Sequence, residues 1–174
     1  MSLPEPFLRF ESSIEQDIPE DWDFYPCLVD EQAASVYLNL ALKDQFTQLA
    51  RYHVMYLHLE MQHPRLDGLS SDEEYDTLIE IEDHLDAELN GKLNALYVGR
   101  VTTNGTRDFF YYLADLDRIE EVVRIAMQQF PHYIYRIGAK PDREGGVYLN
   151  YLYPNERELS VIAERRIQQT ASEI

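Results

Sequence analysis

Apolar positions along this chain follow two rhythms, a period of two and a period near 3.6, and the switches between them lay out the elements. Residues 21–25 (DWDFY) open an extended segment, and residues 35–42 (SVYLNLAL) alternate well enough to be its partner across an acidic turn near Asp30, which predicts a β-hairpin. Residues 52–61 alternate again and run into a turn over 64–68. The rhythm then changes. Leu78, Ile81, Leu85 and Leu89 recur at helical spacing within residues 70–92, with Ser71 and Glu74 as a capping box and Asn90-Gly91 as a left-handed stop. Residues 95–114 (ALYVGRVTTNGTRDFFYYLA) place Asn104-Gly105, the preferred type I′ pair, between β-branched and aromatic residues, so they predict a tight hairpin. Asp117 with Glu120 suggests a second capping box, and Leu116, Ile119, Val123, Met127 and Phe130 trace one helical face before Pro131. A strand over 133–138, a turn over 142–146 and a last strand over 147–153 follow. Asn155 and Glu158 then cap a terminal helix striped by Leu159, Ile162 and Ile167.

From residue 52 to 138 the order is strand, helix, strand, strand, helix, strand. That order predicts an α+β fold, a ferredoxin-like split βαβ antiparallel sheet with both helices on one face, extended by the N-terminal β-hairpin and by a C-terminal strand and helix. Pro4, Pro6 and Pro19 among acids make residues 1–20 an irregular acidic arm; 21–174 read as a single domain with its core at about 52–138.

Composition changes the picture through charge. In 174 residues, 32 acids against 15 bases give a formal net charge of −17, a field that repels phosphate backbones and anionic membranes and favours basic protein surfaces. No nucleic-acid or membrane partner is therefore expected. The single cysteine, Cys27, excludes an internal disulfide and fits a reducing, cytoplasmic setting. It follows Pro26 with no base nearby in sequence, and reads as a packing residue.

Much of the charge lies on the helix over 70–92, where nine acids precede the first base, Lys92. Helix-dipole stabilisation accounts for those in the first turn but not for Asp86 or Glu88 near the far end. Glu73, Asp76, Glu80, Asp83 and Glu88 are thus candidate contacts for a basic partner, and a solvated surface is the plainer reading. Counting outward from Asn104-Gly105 puts Tyr97, Phe110 and Tyr112 on one face of the sheet with Tyr56, and leaves Leu96, Val98, Phe109, Tyr111 and Leu113 to pack the helices. With Arg100 and Arg136 on the same strands, Tyr56, Tyr97, Phe110 and Tyr112 form a candidate ligand face, unless the N-terminal hairpin or the terminal helix covers it as a second core. No catalytic residue, metal site or cofactor motif is legible. Glu80 and His84 sit one turn apart with Asp83 adjacent but without a completing ligand set, His53, His58 and His63 match no ligand spacing, and Gly145-Gly146 lacks the lysine and spacing of a phosphate loop.

Several features occur in an order that resembles the bacterial family called domain of unknown function 695: residues 21–25, Gly68, the L-x-x-I-E-D-x-L run over 78–85, Tyr97-Val98-Gly99-Arg100, Phe110-Tyr111-Tyr112, Tyr148 and Leu152-Tyr153-Pro154. The resemblance covers roughly residues 20–155. That family commonly has a tryptophan where this chain has Gly145, which implies a space left open there or filled by Tyr151. A further likeness in fold and charge, to the ribonuclease E inhibitor B family, implies action by binding an enzyme. The first expectation is therefore a non-enzymatic acidic protein that binds a basic protein partner and regulates a ribonuclease or similar enzyme. The second is a small-ligand binder or enzyme using the Tyr/Arg face, and the third a homodimer that buries the same face.

Overall fold

The computed structural model describes residues 17–173; most of the predicted N-terminal arm lies outside them. Six strands, β1 (Trp22–Val29), β2 (Gln32–Asn39), β3 (His53–Glu60), β4 (Leu96–Thr103), β5 (Thr106–Leu113) and β6 (Tyr135–Pro141), form one open sheet in the order β1-β2-β4-β5-β3-β6, with every neighbouring pair antiparallel. The helices are α1 (Phe46–Leu49), α2 (Asp72–Leu93), α3 (Ile119–Met127) and α4 (Glu156–Ser172). The protein is thus a mixed α/β fold on a six-stranded antiparallel sheet.

Turn chemistry sets the sheet register. Asn104 and Gly105 both take positive φ, 50° and 78°, as a type I′ turn requires, and Thr103 pairs with Thr106 across it. Asp30 and Glu31 do the same between β1 and β2, without glycine. α2 and α3 pack on one face of the sheet against Met55, Leu57, Leu59, Phe109, Tyr111 and Leu113.

The other face is covered too. Val36, Leu38, Val98, Phe110 and Tyr112 form a second core with Leu42, Phe46, Tyr148, Leu152 and Ile162, contributed by α1 and its approach, by the segment after β6 and by α4. The expected last strand is absent here: Tyr148–Leu152 is one π-helical turn, closed by the Tyr153 N–H donating to the Tyr148 carbonyl at 2.7 Å. The alternation is real, but Asp142 overrides it. Its carboxylate accepts the Gly146 N–H at 2.7 Å, the Val147 N–H at 2.9 Å and the Tyr112 hydroxyl at 2.6 Å, which starts a helical turn, and Tyr148 and Leu152 are then buried four residues apart. The Tyr148 hydroxyl donates to the Asn39 carbonyl at 2.6 Å and the Tyr25 hydroxyl to the Leu152 carbonyl at 2.5 Å, so this segment is tied to β1 and β2 from above. α4 follows with its predicted cap: Asn155 Oδ1 accepts the Glu158 N–H at 2.8 Å. Arg165 and Arg166 then clamp Asp23, each at 2.6 Å, and hold α4 on β1.

Three other termini differ from the sequence reading. The Ser71–Glu74 box does not form: Ser71 makes no side-chain cap bond and the Glu74 carboxylate is committed to Gln62, His63 and Tyr133, while α3 is preceded by Arg118 in a left-handed conformation, without the Asp117–Glu120 box. α2 runs through Gly91 and stops at Asn94, φ 51°, because half-buried Leu93 adds to the core and the Asn90 side chain donates to the Ala95 carbonyl at 3.1 Å.

The space beside Gly145 is filled by Phe46 rather than Tyr151: a Cβ there would meet the Phe46 ring at 2.5 Å, and φ is +72°. Gly145→Ala therefore combines a left-handed penalty with overpacking and is expected to cost about 2–4 kcal/mol, read by urea denaturation.

Candidate functional site

The acids of α2 divide by depth. Glu74 is buried and accepts the Gln62 and His63 N–H groups at 2.9 and 2.7 Å and the Tyr133 hydroxyl at 2.6 Å, which fastens the loop after β3 to the helix. Glu82 is buried and pairs with Arg100. Both acids are structural. Of the predicted partner contacts, Glu73, Asp76, Glu80 and Asp83 are exposed, and Asp72 joins them; Glu88 is half-buried and paired with Lys92 at 2.6 Å. Among the described residues no Lys or Arg pairs with Asp72, Asp76, Glu80 or Asp83.

The predicted Tyr/Arg face is not one face. An extra residue, Val98, bulges from β4 between the Tyr97↔Tyr111 and Gly99↔Phe110 pairs, and this reverses every side chain before Gly99. Tyr97 therefore lies with Tyr111 under α2, while Leu96 and Val98 join the second core. Arg100, opposite Phe109, also belongs to the helix face. Of the others, Phe110 and Tyr112 are buried at 6% and 0% exposure in the second core, which closes the face expected to be open or dimeric. Only Tyr56 and Arg136 remain exposed there, beside a His58–Asp108 pair at 2.5 Å. The bulge and the covering segment are the physical reasons for both corrections.

What the structure assembles instead is a cavity of about 400 Å³ between the β1–β2–β4 side of the helix face and the start of α2, with Phe24, Tyr37, Arg65, Tyr75, Arg100 and Arg107 among its walls. Tyr37, in its wall, belongs to an aromatic cluster that runs into the core: Trp22 against Tyr37 at 5.1 Å and against Tyr97 at 5.3 Å, and Tyr97 on Tyr111 at 5.0 Å. The Arg100 guanidinium lies 4.5 Å over the Tyr37 ring while it pairs with Glu82. Arg65 pairs with Asp67 at 2.6 Å.

Among the described residues Arg107 has no such partner. It is 4% exposed, its Nε donates to Thr102 Oγ1 at 2.9 Å and its Nη2 to Ser70 Oγ at 3.2 Å, and its Nη1 meets no hydrogen-bond acceptor among them. Burial, and then the charge of Arg100, lower its pKa to about 10, still well above neutrality. Among the described residues a buried cation held only by two hydroxyls, in a chain with about twice as many acids as bases, is the clearest chemical anomaly. The sequence reading missed it. The signal was available: Arg107 continues the Phe109–Tyr111–Leu113 stripe that faces the helices, a place for an apolar residue.

Cys27 is half-buried, and burial followed by the Glu158 charge pushes its thiol up, against thiolate formation. Among the described residues no three His, Cys, Asp or Glu side chains cluster as metal ligands, and no helix is long and apolar enough to cross a membrane.

Fold and cavity together define a mixed α/β protein with a candidate small-molecule site beside its second helix. The chain belongs to the DUF695 family, described as a family of unknown function, whose model matches residues 20–153. No curated protein and no solved structure matches it.

Crowding of acids on α2 has a measurable cost. Burial, then the charges of Glu82 and Asp83, push the Asp86 carboxyl above its ordinary range. Its folded-state pKa lies above the unfolded one, so ionised Asp86 destabilises the fold at neutral pH, and the penalty fades as pH falls through the raised value. Asp86→Asn should raise the melting temperature at pH 7, with the gain gone by about pH 3, as followed by circular dichroism.

Proposed function

We propose that this protein is a non-enzymatic binding module for a small organic anion, held in the cavity between β2, β4 and α2. The observation that carries the reading is Arg107: buried, charged, and, among the described residues, without a carboxylate partner and with an unused Nη1. An unpaired buried charge costs a fold several kcal/mol, so its retention makes sense when an external anion supplies the missing partner. The cavity volume of about 400 Å³ falls within the range of small-molecule sites. The order β4-β5-β3-β6 with α2 and α3 on one face supports a ferredoxin-like split βαβ unit, to which the β1–β2 hairpin adds two strands at one edge.

Binding to the folded state alone raises the melting temperature. In thermal melts at fixed ionic strength, acetate, benzoate and phosphate are compared with chloride; at least one should raise the midpoint, by about 5 °C at a hundredfold excess over its dissociation constant. Arg107→Met should abolish that response while leaving the ligand-free midpoint unchanged or higher. A flat response to all three anions, or an unaltered response in Arg107→Met, would sink the reading.

A second reading rests on a different observation, the exposed and unpaired Asp72, Asp76, Glu80 and Asp83 on α2. They favour a basic protein partner in a reducing, cytoplasmic setting, such as a ribonuclease or another enzyme regulated by the contact. Reversing Asp76, Glu80 and Asp83 together to Lys should eliminate a salt-sensitive interaction in affinity capture, with an unchanged far-ultraviolet spectrum; capture that survives the reversal would reject this surface.

A further inference from the structure

Resting on the reading of that cavity as an anion site, we infer that its ligand is a monoanionic aromatic carboxylate. Charge counting selects the monoanion. Arg65 is matched by Asp67 and Arg100 by Glu82, so of these three arginines only Arg107 has no carboxylate in contact among the described residues. Glu74 and Glu82 are also close enough to contribute to the field at Arg107. A dianion such as a phosphate monoester would bring a second negative charge into that field, in a chain whose formal net charge is already −17.

Guanidinium geometry selects the carboxylate. With Nε on Thr102 and one Nη2 N–H on Ser70, the N–H groups left are those of Nη1 and the second of Nη2, a planar pair that matches two coplanar carboxylate oxygens. Arg107 lines the cavity while its Nη1 is buried, so a ligand reaches Nη1 by displacing the exposed side chains of Arg65 and Tyr75 in the same walls. Thr102 and Ser70 hold the fork in place before the ligand arrives, so little ordering cost falls on binding.

The remaining walls select the ring. Phe24 from β1 and Tyr75 from α2 border the cavity from different elements, 46% and 54% exposed. Phe24 already carries the Arg165 guanidinium 3.8 Å over its ring, which fixes it as part of a rigid wall. Tyr37 is packed by Trp22 and Arg100 and offers its edge. A flat apolar group over Phe24 and Tyr75 would cover aromatic surface now in water, and offset or edge contacts with those rings would add to the area term.

The test is calorimetric titration of the full-length chain with benzoate, phenylacetate, acetate, cyclohexanecarboxylate, phenyl phosphate and inorganic phosphate at constant ionic strength. Benzoate or phenylacetate should bind at least tenfold more tightly than acetate and phenyl phosphate, and more tightly than cyclohexanecarboxylate. Tyr75→Ala should remove most of the advantage of the ring while leaving acetate binding in place, and Arg107→Met should remove both. If Arg107→Met fails to fold, Arg107→Lys serves instead, since it keeps the charge and loses the fork. Equal binding of acetate and benzoate, or tighter binding of phenyl phosphate, would overturn the ligand class while leaving an anion site intact. Binding of no anion in the set would overturn the site itself and this inference with it.

Discussion

One extra residue in β4 decides how the interior of this protein is shared out. Val98 bulges between Tyr97 and Gly99, and the bulge turns Tyr97 toward α2 and sends Leu96 and Val98 to the opposite core. A strand without it would place Tyr97 beside Phe110 and Tyr112, as simple alternation predicts. With it, Tyr97 completes the stack running from Tyr111 through Trp22 to Tyr37, which ties β5, β4, β1 and β2 together beneath the helices. At its Tyr37 end that stack reaches the cavity, which Arg100 and Arg107 line from the regular part of the same hairpin.

The second constraint is that both faces of the sheet must be covered. Strands such as FFYYL in β5 are apolar on both sides, which a one-sided sheet could not bury. α2 and α3 close one side, and the second is closed by short pieces from distant parts of the chain: the residues before β3, the turn after β6 and α4. Asp142 organises that closure, since a single carboxylate joins the buried Tyr112 to the N–H groups that begin the covering turn. Burial pushes this carboxyl up, but the Tyr112, Val147 and Gly146 bonds outweigh it and hold the group below its ordinary range.

Charge is arranged around the same architecture. The acids that the fold needs, Glu74 and Glu82, lie inward on α2 and are bonded there, while the exposed Asp72, Asp76, Glu80 and Asp83 have no Lys or Arg partner among the described residues. One base departs from this pattern. Among the described residues Arg107 is inward and without a carboxylate partner, an inversion that costs stability and is the feature on which a binding role rests.

The sequence by itself determined the elements and their local geometry: the Asn104-Gly105 turn, the Asn155–Glu158 cap, the apolar stripe of α2 and its acidic surface follow from residue types a few positions apart. These signals are local, so no tertiary information was needed to read them. The site was different. Thr102 and Arg107 oppose each other across the predicted hairpin, but nothing in their spacing from Ser70 and Tyr75 announces that all four line one cavity. The bulge at Val98 follows from packing competition between two cores, and the helical turn at Tyr148 from a carboxylate at Asp142 that outbids strand propensity. Only the tertiary structure could settle such points, because each depends on long-range contacts that reward a locally less regular backbone.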